Sequence, residues 1–241
     1  MRFKEWGAIQ THKTIMKSNP NRAALCSEFF GTFALIFCGT GAVIIDGATN
    51  GGVSHAGIAV TFGLVVMALI YTFGETSGAH FNPAVTLAFW AAKRFETRKI
   101  MPYLGAQFGG AILASLLLRA VFPASITLGA TFPRGSQGQS LLLEIVLTWL
   151  LMLVILGVSS GAKEKGITAG IAIGAVVGLE AMFAGPISGA SMNPARSFAP
   201  ALVSLQFHDL WIYFLGPIVG ALLAVPTRYL TQPHDAVSNP I

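Results

Sequence analysis

The chain has 241 residues, of which 54% are apolar and only 10% charged, with a formal net charge of +5 and a mean hydropathy of +0.67. Soluble domains carry about 25% charged residues, so this chain lacks the polar surface that a water-exposed enzyme, a nucleic-acid-binding module or a disordered tail needs. A polytopic protein with the lipid bilayer as its surroundings remains, and the positive charge sits in short clusters between apolar runs, where it sets topology and is no sign of a nucleic-acid partner.

In chain order, Met1 to Arg22 is polar and basic, with neither the short apolar core nor the small-residue cleavage site of a signal peptide, so 1–23 reads as a cytoplasmic segment. Six apolar windows follow, each long enough to cross a bilayer: Ala24 to Ile45, Val53 to Phe73, Ile100 to Phe122, Leu141 to Val158, Ile167 to Ala184 and Leu210 to Leu230. The only cysteines, Cys26 and Cys38, lie 12 residues apart in the first window. On one helix that is about 18 Å, too far to pair, and they read as buried small hydrophobes.

Twelve Lys and Arg residues fall before span 1, between spans 2 and 3 (Lys93, Arg94, Arg98, Lys99), between spans 4 and 5 (Lys163, Lys165) and at Arg228, whereas the alternate side holds Arg119, Arg134 and Arg196. By the positive-inside rule both termini are cytoplasmic, including a tail over 231–241.

Two stretches between spans do not read as ordinary loops. Ser77-Gly78-Ala79-His80-Phe81-Asn82-Pro83-Ala84 and Ser188-Gly189-Ala190-Ser191-Met192-Asn193-Pro194-Ala195 share six of eight positions at an offset of 111. The same offset carries Gly105 onto Gly216 and Gly109 onto Gly220, and Glu28 with Thr32 in span 1 answers Glu144 with Thr148 in span 4. The region 24–230 is therefore two related halves, about 24–122 and 140–230. Each half has three spans, so the second enters the membrane from the opposite side and the repeat is inverted.

Asn is a strong N-cap and Pro is favoured at the first helical position, so Asn82-Pro83-Ala84 and Asn193-Pro194-Ala195 each open a helix. The apolar runs behind them, Pro83 to about Ala92 and Pro194 to about Val203, are about ten residues or 15 Å long, half a hydrocarbon core. Two such half-helices entering from opposite sides meet N-terminus to N-terminus at the midplane. Non-helical backbone at that depth must line a wet cavity or be buried in protein.

The two helix dipoles create positive potential at the meeting point, while Asn82 and Asn193 offer amide donors. A cation is repelled. A neutral molecule with a lone pair is held and oriented, so a water file there does not relay protons. The lead-ins Gly78, Ala79, His80, Phe81 and Gly189, Ala190, Ser191, Met192 supply backbone carbonyls along an otherwise apolar bore.

With these paired motifs the sequence resembles the major intrinsic protein family, the aquaporins and aquaglyceroporins, from roughly Ala24 to Leu230. The resemblance implies an all-α membrane fold of six spans plus two re-entrant half-helices, one pore per subunit and a homotetramer in a plasma or inner membrane. It makes Arg196, directly after the second Asn-Pro-Ala, the filter arginine, with Phe62, Ala181 and Ala190 as the other filter positions. Water-strict members have His where Ala181 stands. Glycerol channels typically have a second aromatic at Ala190 and Asp at Ser197, and this chain has neither. The phrase Ala184 to Asn193 is closest to the nodulin-like branch, which passes water, glycerol and neutral metalloid hydroxides.

By the same resemblance, Glu28 and Glu144 brace the half-helix loops. His80 reads as a neutral, hydrogen-bonded spacer at the inner vestibule, and Glu180 faces a neighbouring helix or subunit and not the bore. Gly170, Gly174 and Gly178 suit close helix packing.

The function expected is a passive channel for water and small uncharged solutes that needs neither cofactor nor metal. A water-selective pore is the alternative, with a coupled transporter and a junctional scaffold more remote. No Asp, Glu or Lys stands in the Asn-Pro-Ala segments to couple an ion, and no nucleophile with a positioned base suggests an enzyme.

Overall fold

A computed structural model describes residues 20–159 and 163–231. The terminal segments 1–19 and 232–241, and the side chains of Lys163 and Lys165, lie outside the described residues. Among the described residues every regular element is helical: α1 (Pro20–Ala48), α2 (Ser54–Ser77), α3 (Pro83–Ala91), α4 (Thr97–Val121), α5 (Gln137–Val158), α6 (Lys163–Ser188), α7 (Pro194–Ser204) and α8 (Ile212–Thr231). All but α3 and α7 are long and apolar enough to cross a membrane.

The helices overrun the apolar windows at their polar ends, α5 beginning at Gln137 and α4 at Thr97. Apolarity marks the hydrocarbon layer, whereas the backbone stays helical into the wet interface until a cap stops it. Ser136 caps α5 by accepting from the Gln139 amide at 3.1 Å. At the other kind of end, Gly78 turns left-handed (φ 83°) and donates its N–H to the Gly74 carbonyl, ending α2.

The packing maps onto itself when the halves are exchanged. Helix α1 packs on α4 as α5 packs on α8, α1 on α2 as α5 on α6, and each half-helix lies against both α4 and α8. Helices α2 and α6 pack on each other across the pseudo-axis, and α3 meets α7.

Glycines permit the closest approaches. A methyl group on Gly110 would overlap the Phe29 carbonyl in α1, and one on Gly220 would overlap the Ile145 carbonyl in α5. Between α2 and α6, a Cβ on Gly174 would lie 2.6 Å from the Gly63 carbonyl oxygen, while Gly178 abuts Gly63 and Gly170 faces the Tyr71 ring. Equivalence in α4 and α8 is thus at an offset of 110, one less than the 111 read from the sequence. Gly110 is the counterpart of Gly220, and Gly105 has open space where a side chain would go.

The cysteines also differ from expectation. Cys26 and Cys38 are exposed on the outside of α1. The buried stripe of that helix runs instead through Glu28, Thr32, Ile36 and Thr40, all without exposure. A thiol is apolar enough to face lipid at no cost.

Candidate functional site

The two half-helices begin where the pattern placed them, and the capping is symmetric. The Asn82 side-chain oxygen accepts from the Ala84 amide at 2.9 Å, and that of Asn193 from the Ala195 amide at 3.0 Å and the Arg196 amide at 3.4 Å. Each Asn amide nitrogen reaches across the pseudo-axis. Asn82 Nδ2 donates to the Met192 carbonyl at 2.7 Å and Asn193 Nδ2 to the Phe81 carbonyl at 2.9 Å. One hydrogen of each amide therefore ties the loops together, and the second is left for a molecule in the bore. The same bonds occupy the Phe81 and Met192 carbonyls, which were expected to serve the bore.

Both lead-ins follow one backbone pattern. Gly78, Ala79 and Phe81 have positive φ, as do Gly189, Ala190 and Met192. Such conformations are costly for residues with a Cβ and persist only when the surroundings hold them. Here buried carboxylates do the holding. Glu28 accepts from the His80 amide at 2.9 Å and the Phe81 amide at 2.8 Å, while Glu144 accepts from the Ser191 amide at 2.9 Å and the Met192 amide at 2.8 Å. Ser77 and Ser188 hydroxyls accept from the Ala79 and Ala190 amides. With the N–H groups drawn outward, the carbonyls preceding them face the opposite way, toward the bore.

Further supports have no counterpart in the sequence reading. The Tyr103 hydroxyl donates to the Ser77 carbonyl at 2.9 Å, and the Tyr213 hydroxyl to the Ser188 carbonyl at 2.6 Å. Gln107 Nε2 bonds both Glu28 and Thr86, and His80 Nδ1 lies 3.1 Å from the Thr86 hydroxyl. In the second half, Ser191 and Ser197 hydroxyls pair at 2.6 Å, with Thr131 donating to Ser197 at 2.7 Å. Thr86 and Ser197 are related by the 111 offset, which is the signal that could have found them; Tyr103 with Tyr213, at 110, escapes it.

A single cavity of about 850 Å³ passes both Asn side chains. Its lining includes Gly78, Ala79, His80, Phe81, Ala190, Ser191 and Met192. Gly189 is absent from it, because its N–H closes α6 on the Gly185 carbonyl and it packs on Thr131. Pro83, Ala84, Pro194 and Ala195 are buried where the half-helices meet and line no part of the cavity; they shape the turn and let the helices touch. At one mouth stand Glu75 and Arg94, the latter over the Phe89 ring and bonded to the Ser159 carbonyl at 2.7 Å. His80 lies inside that mouth, stacked on Phe89 at 4.7 Å.

At the other end Phe62, Ala181, Ala190 and Arg196 surround the cavity. Arg196 is 5% exposed, its Nη1 donates to the Gly129 carbonyl at 2.8 Å, and its guanidinium carbon lies 5.3 Å from the Phe62 ring centre. Arg196 Nε is itself buried and donates to no described residue. Beyond Asn193, Arg196 is the only charged side chain lining the cavity among the described residues. The 111 offset pairs it with Val85, which lines the cavity on the opposite side of the Asn pair. Glu180 is fully buried against neighbouring helices, away from the bore, and neither of its oxygens has a hydrogen-bond partner among the described residues.

The chain is similar to known proteins over most of its length. A family model described as major intrinsic protein matches residues 15–227. Aquaporin NIP1-1 of Zea mays is 46% identical over 220 residues, covering 91% of this chain and 78% of the relative. Probable aquaporin NIP4-2 of Arabidopsis thaliana is 47% identical over 199 residues, covering 81% and 70%. Among solved structures, the aquaglyceroporin from Plasmodium falciparum superposes with a TM-score of 0.74 at 26% identity, covering 86% of this chain and 94% of that one.

Proposed function

This chain belongs to the major intrinsic protein family, and we propose that it is a passive channel for water and small uncharged solutes of the glycerol and boric acid type that excludes protons and ions. The observation that carries this reading is the single cavity that passes both Asn side chains and ends between Phe62, Ala181, Ala190 and Arg196. Two methyl groups form two of those four walls, which leaves more width than a ring at either position would. Glycerol's carbon backbone finds Phe62 and the alanines, while its hydroxyls find the Arg196 donors and the lead-in carbonyls.

Exclusion of charge follows from the same parts. Arg196 and two helix N-termini present positive potential to a cation, which would also have to shed its water shell in an apolar bore. A water at the midplane takes a hydrogen bond from each Asn amide, so both lone pairs are engaged and it cannot accept a proton from the next water in the file.

Supporting roles are assigned in the same way. Glu28 and Glu144 hold the lead-in loops, and His80 is a neutral hydrogen-bonded wall of the inner vestibule. The basic residues of alternate loops support cytoplasmic termini, and a plasma or inner membrane is the location that goes with this reading. The exposed apolar face of α2 and α6, with Leu64, Ile171 and Phe183, fits assembly into a homotetramer.

Stopped-flow light scattering on proteoliposomes tests the reading. It expects water, glycerol and boric acid fluxes all above those of protein-free vesicles. Water flux without either solute would overturn the broad pore in favour of a water-selective one.

A further inference from the structure

Helix α6 carries Pro186 in its last turn, two residues before it ends. Proline has no N–H, so the carbonyl four residues earlier, that of Met182, receives no ordinary helical hydrogen bond. His55, in the first turn of α2, lies with Nε2 2.6 Å from that carbonyl oxygen. A carbonyl only accepts, so Nε2 carries the hydrogen, and it does so in the imidazolium as well as in one neutral tautomer.

The approach of the ring depends on Gly185, where a Cβ would lie 2.9 Å from His55 Cε1. The first half has Glu75 where the repeat places Pro186 in the second. Glu75 has an N–H, so the Tyr71 carbonyl needs no such partner.

We propose that His55 is a positioning residue for selectivity, a strap that sets the width of the filter by filling the hydrogen bond Pro186 leaves open. His55 and Phe62 are seven residues apart on α2, two turns along one face, and Met182 adjoins Ala181 on α6. The bond therefore ties together the two helices that supply Phe62 and Ala181 to the cavity lining. Directly beside the filter residues, one position past Phe62 and one turn before Ala181, the same helices are fixed by Gly63 against Gly174 and Gly178. With that contact as pivot and His55 as tie, the mouth between Phe62 and Ala181 has one spacing; without the tie the ends of α2 and α6 spread.

The proposal rests on the neutral-solute reading, and its test separates the two. Water and glycerol permeabilities per channel are measured for wild type, His55→Ala, His55→Gln, Pro186→Ala and the Pro186→Ala/His55→Ala double variant. The ratio of glycerol to water permeability should rise in His55→Ala, by up to about fivefold if the whole of a hydrogen bond's worth of about 1 kcal/mol appears in the difference between the two barriers. His55→Gln, whose amide can place a donor where Nε2 stood, should return most of the wild-type ratio.

In the Pro186→Ala background residue 186 regains its N–H, so removing His55 should change little. An unchanged ratio in His55→Ala, or the same rise with and without Pro186, would overturn the strap. Wild type that passes water but no glycerol would overturn the neutral-solute reading alone. Water permeability through the same cycle then decides the strap: a His55→Ala change cancelled by Pro186→Ala supports it, and an additive change or none refutes it.

Discussion

Replacing Glu144 removes the carboxylate that accepts from two backbone amides of the second lead-in loop. Its side chain is fully buried and takes three hydrogen bonds, from the Ser188 hydroxyl at 2.8 Å and from the Ser191 and Met192 amides. The hydroxyl can rotate to another acceptor, but the two backbone N–H groups cannot. Each buried donor left without a partner costs about 1–3 kcal/mol, so Glu144→Ala should destabilise the fold by about 2–6 kcal/mol. Glu144→Gln keeps one carbonyl oxygen and turns an NH2 group toward the other amide, so one donor is orphaned and the cost is about 1–3 kcal/mol.

Unfolding in mixed detergent–SDS micelles, followed by tryptophan fluorescence, reads the order wild type, Gln, Ala. Water permeability should fall in the same order, because Ala190 and Met192 hold positive φ only while Glu144 binds the amides beside them. An alanine variant that unfolds at the wild-type SDS fraction and conducts as before would refute the bracing role.

Three other outcomes follow from single contacts. Ala181→His puts a ring where a methyl now lines the cavity, and glycerol permeability should fall roughly tenfold, about 1.4 kcal/mol of barrier, with water flux retained; unchanged glycerol flux in the same vesicle assay would remove Ala181 from the filter. Gly110→Ala should cost about 1–3 kcal/mol of stability because the new methyl meets backbone, whereas Gly105→Ala, into open space, should cost almost nothing. Equal effects in the SDS titration would contradict the one-residue offset between α4 and α8. Glu180→Gln should leave the unfolding midpoint unchanged or raise it, since neither oxygen has a described partner; a loss above about 1 kcal/mol would mean that the side chain holds one.

Much of this was written in the repeated Ser-Gly-Ala…Asn-Pro-Ala phrase, because a cap, a helix-starting proline and a short apolar run encode a half-helix locally. The buried pair Glu28 and Glu144 could be found for a related reason, since a carboxylate in an apolar span needs an explanation. Other features depend on partners distant in sequence, with no periodicity to announce them. Tyr103 and Tyr213 brace the Ser77 and Ser188 carbonyls from helices outside the motif. Gln107 supports Glu28 with no counterpart across the repeat. The Asn amides were expected to face the bore, but one hydrogen of each closes the junction between the loops, a pairing between distant segments visible only in three dimensions. Helix ends ran past the hydropathy windows for the converse reason: hydropathy follows the lipid, while helicity follows caps.

The central claim is that a file of neutral molecules crosses while protons do not. The most direct measurement records osmotic water flux and proton flux in the same proteoliposomes, the first by light scattering and the second by an enclosed pH-sensitive dye. Water permeability should rise well above that of protein-free vesicles with proton entry at the protein-free rate. Water flux accompanied by proton entry, or no increase in water flux, would contradict it.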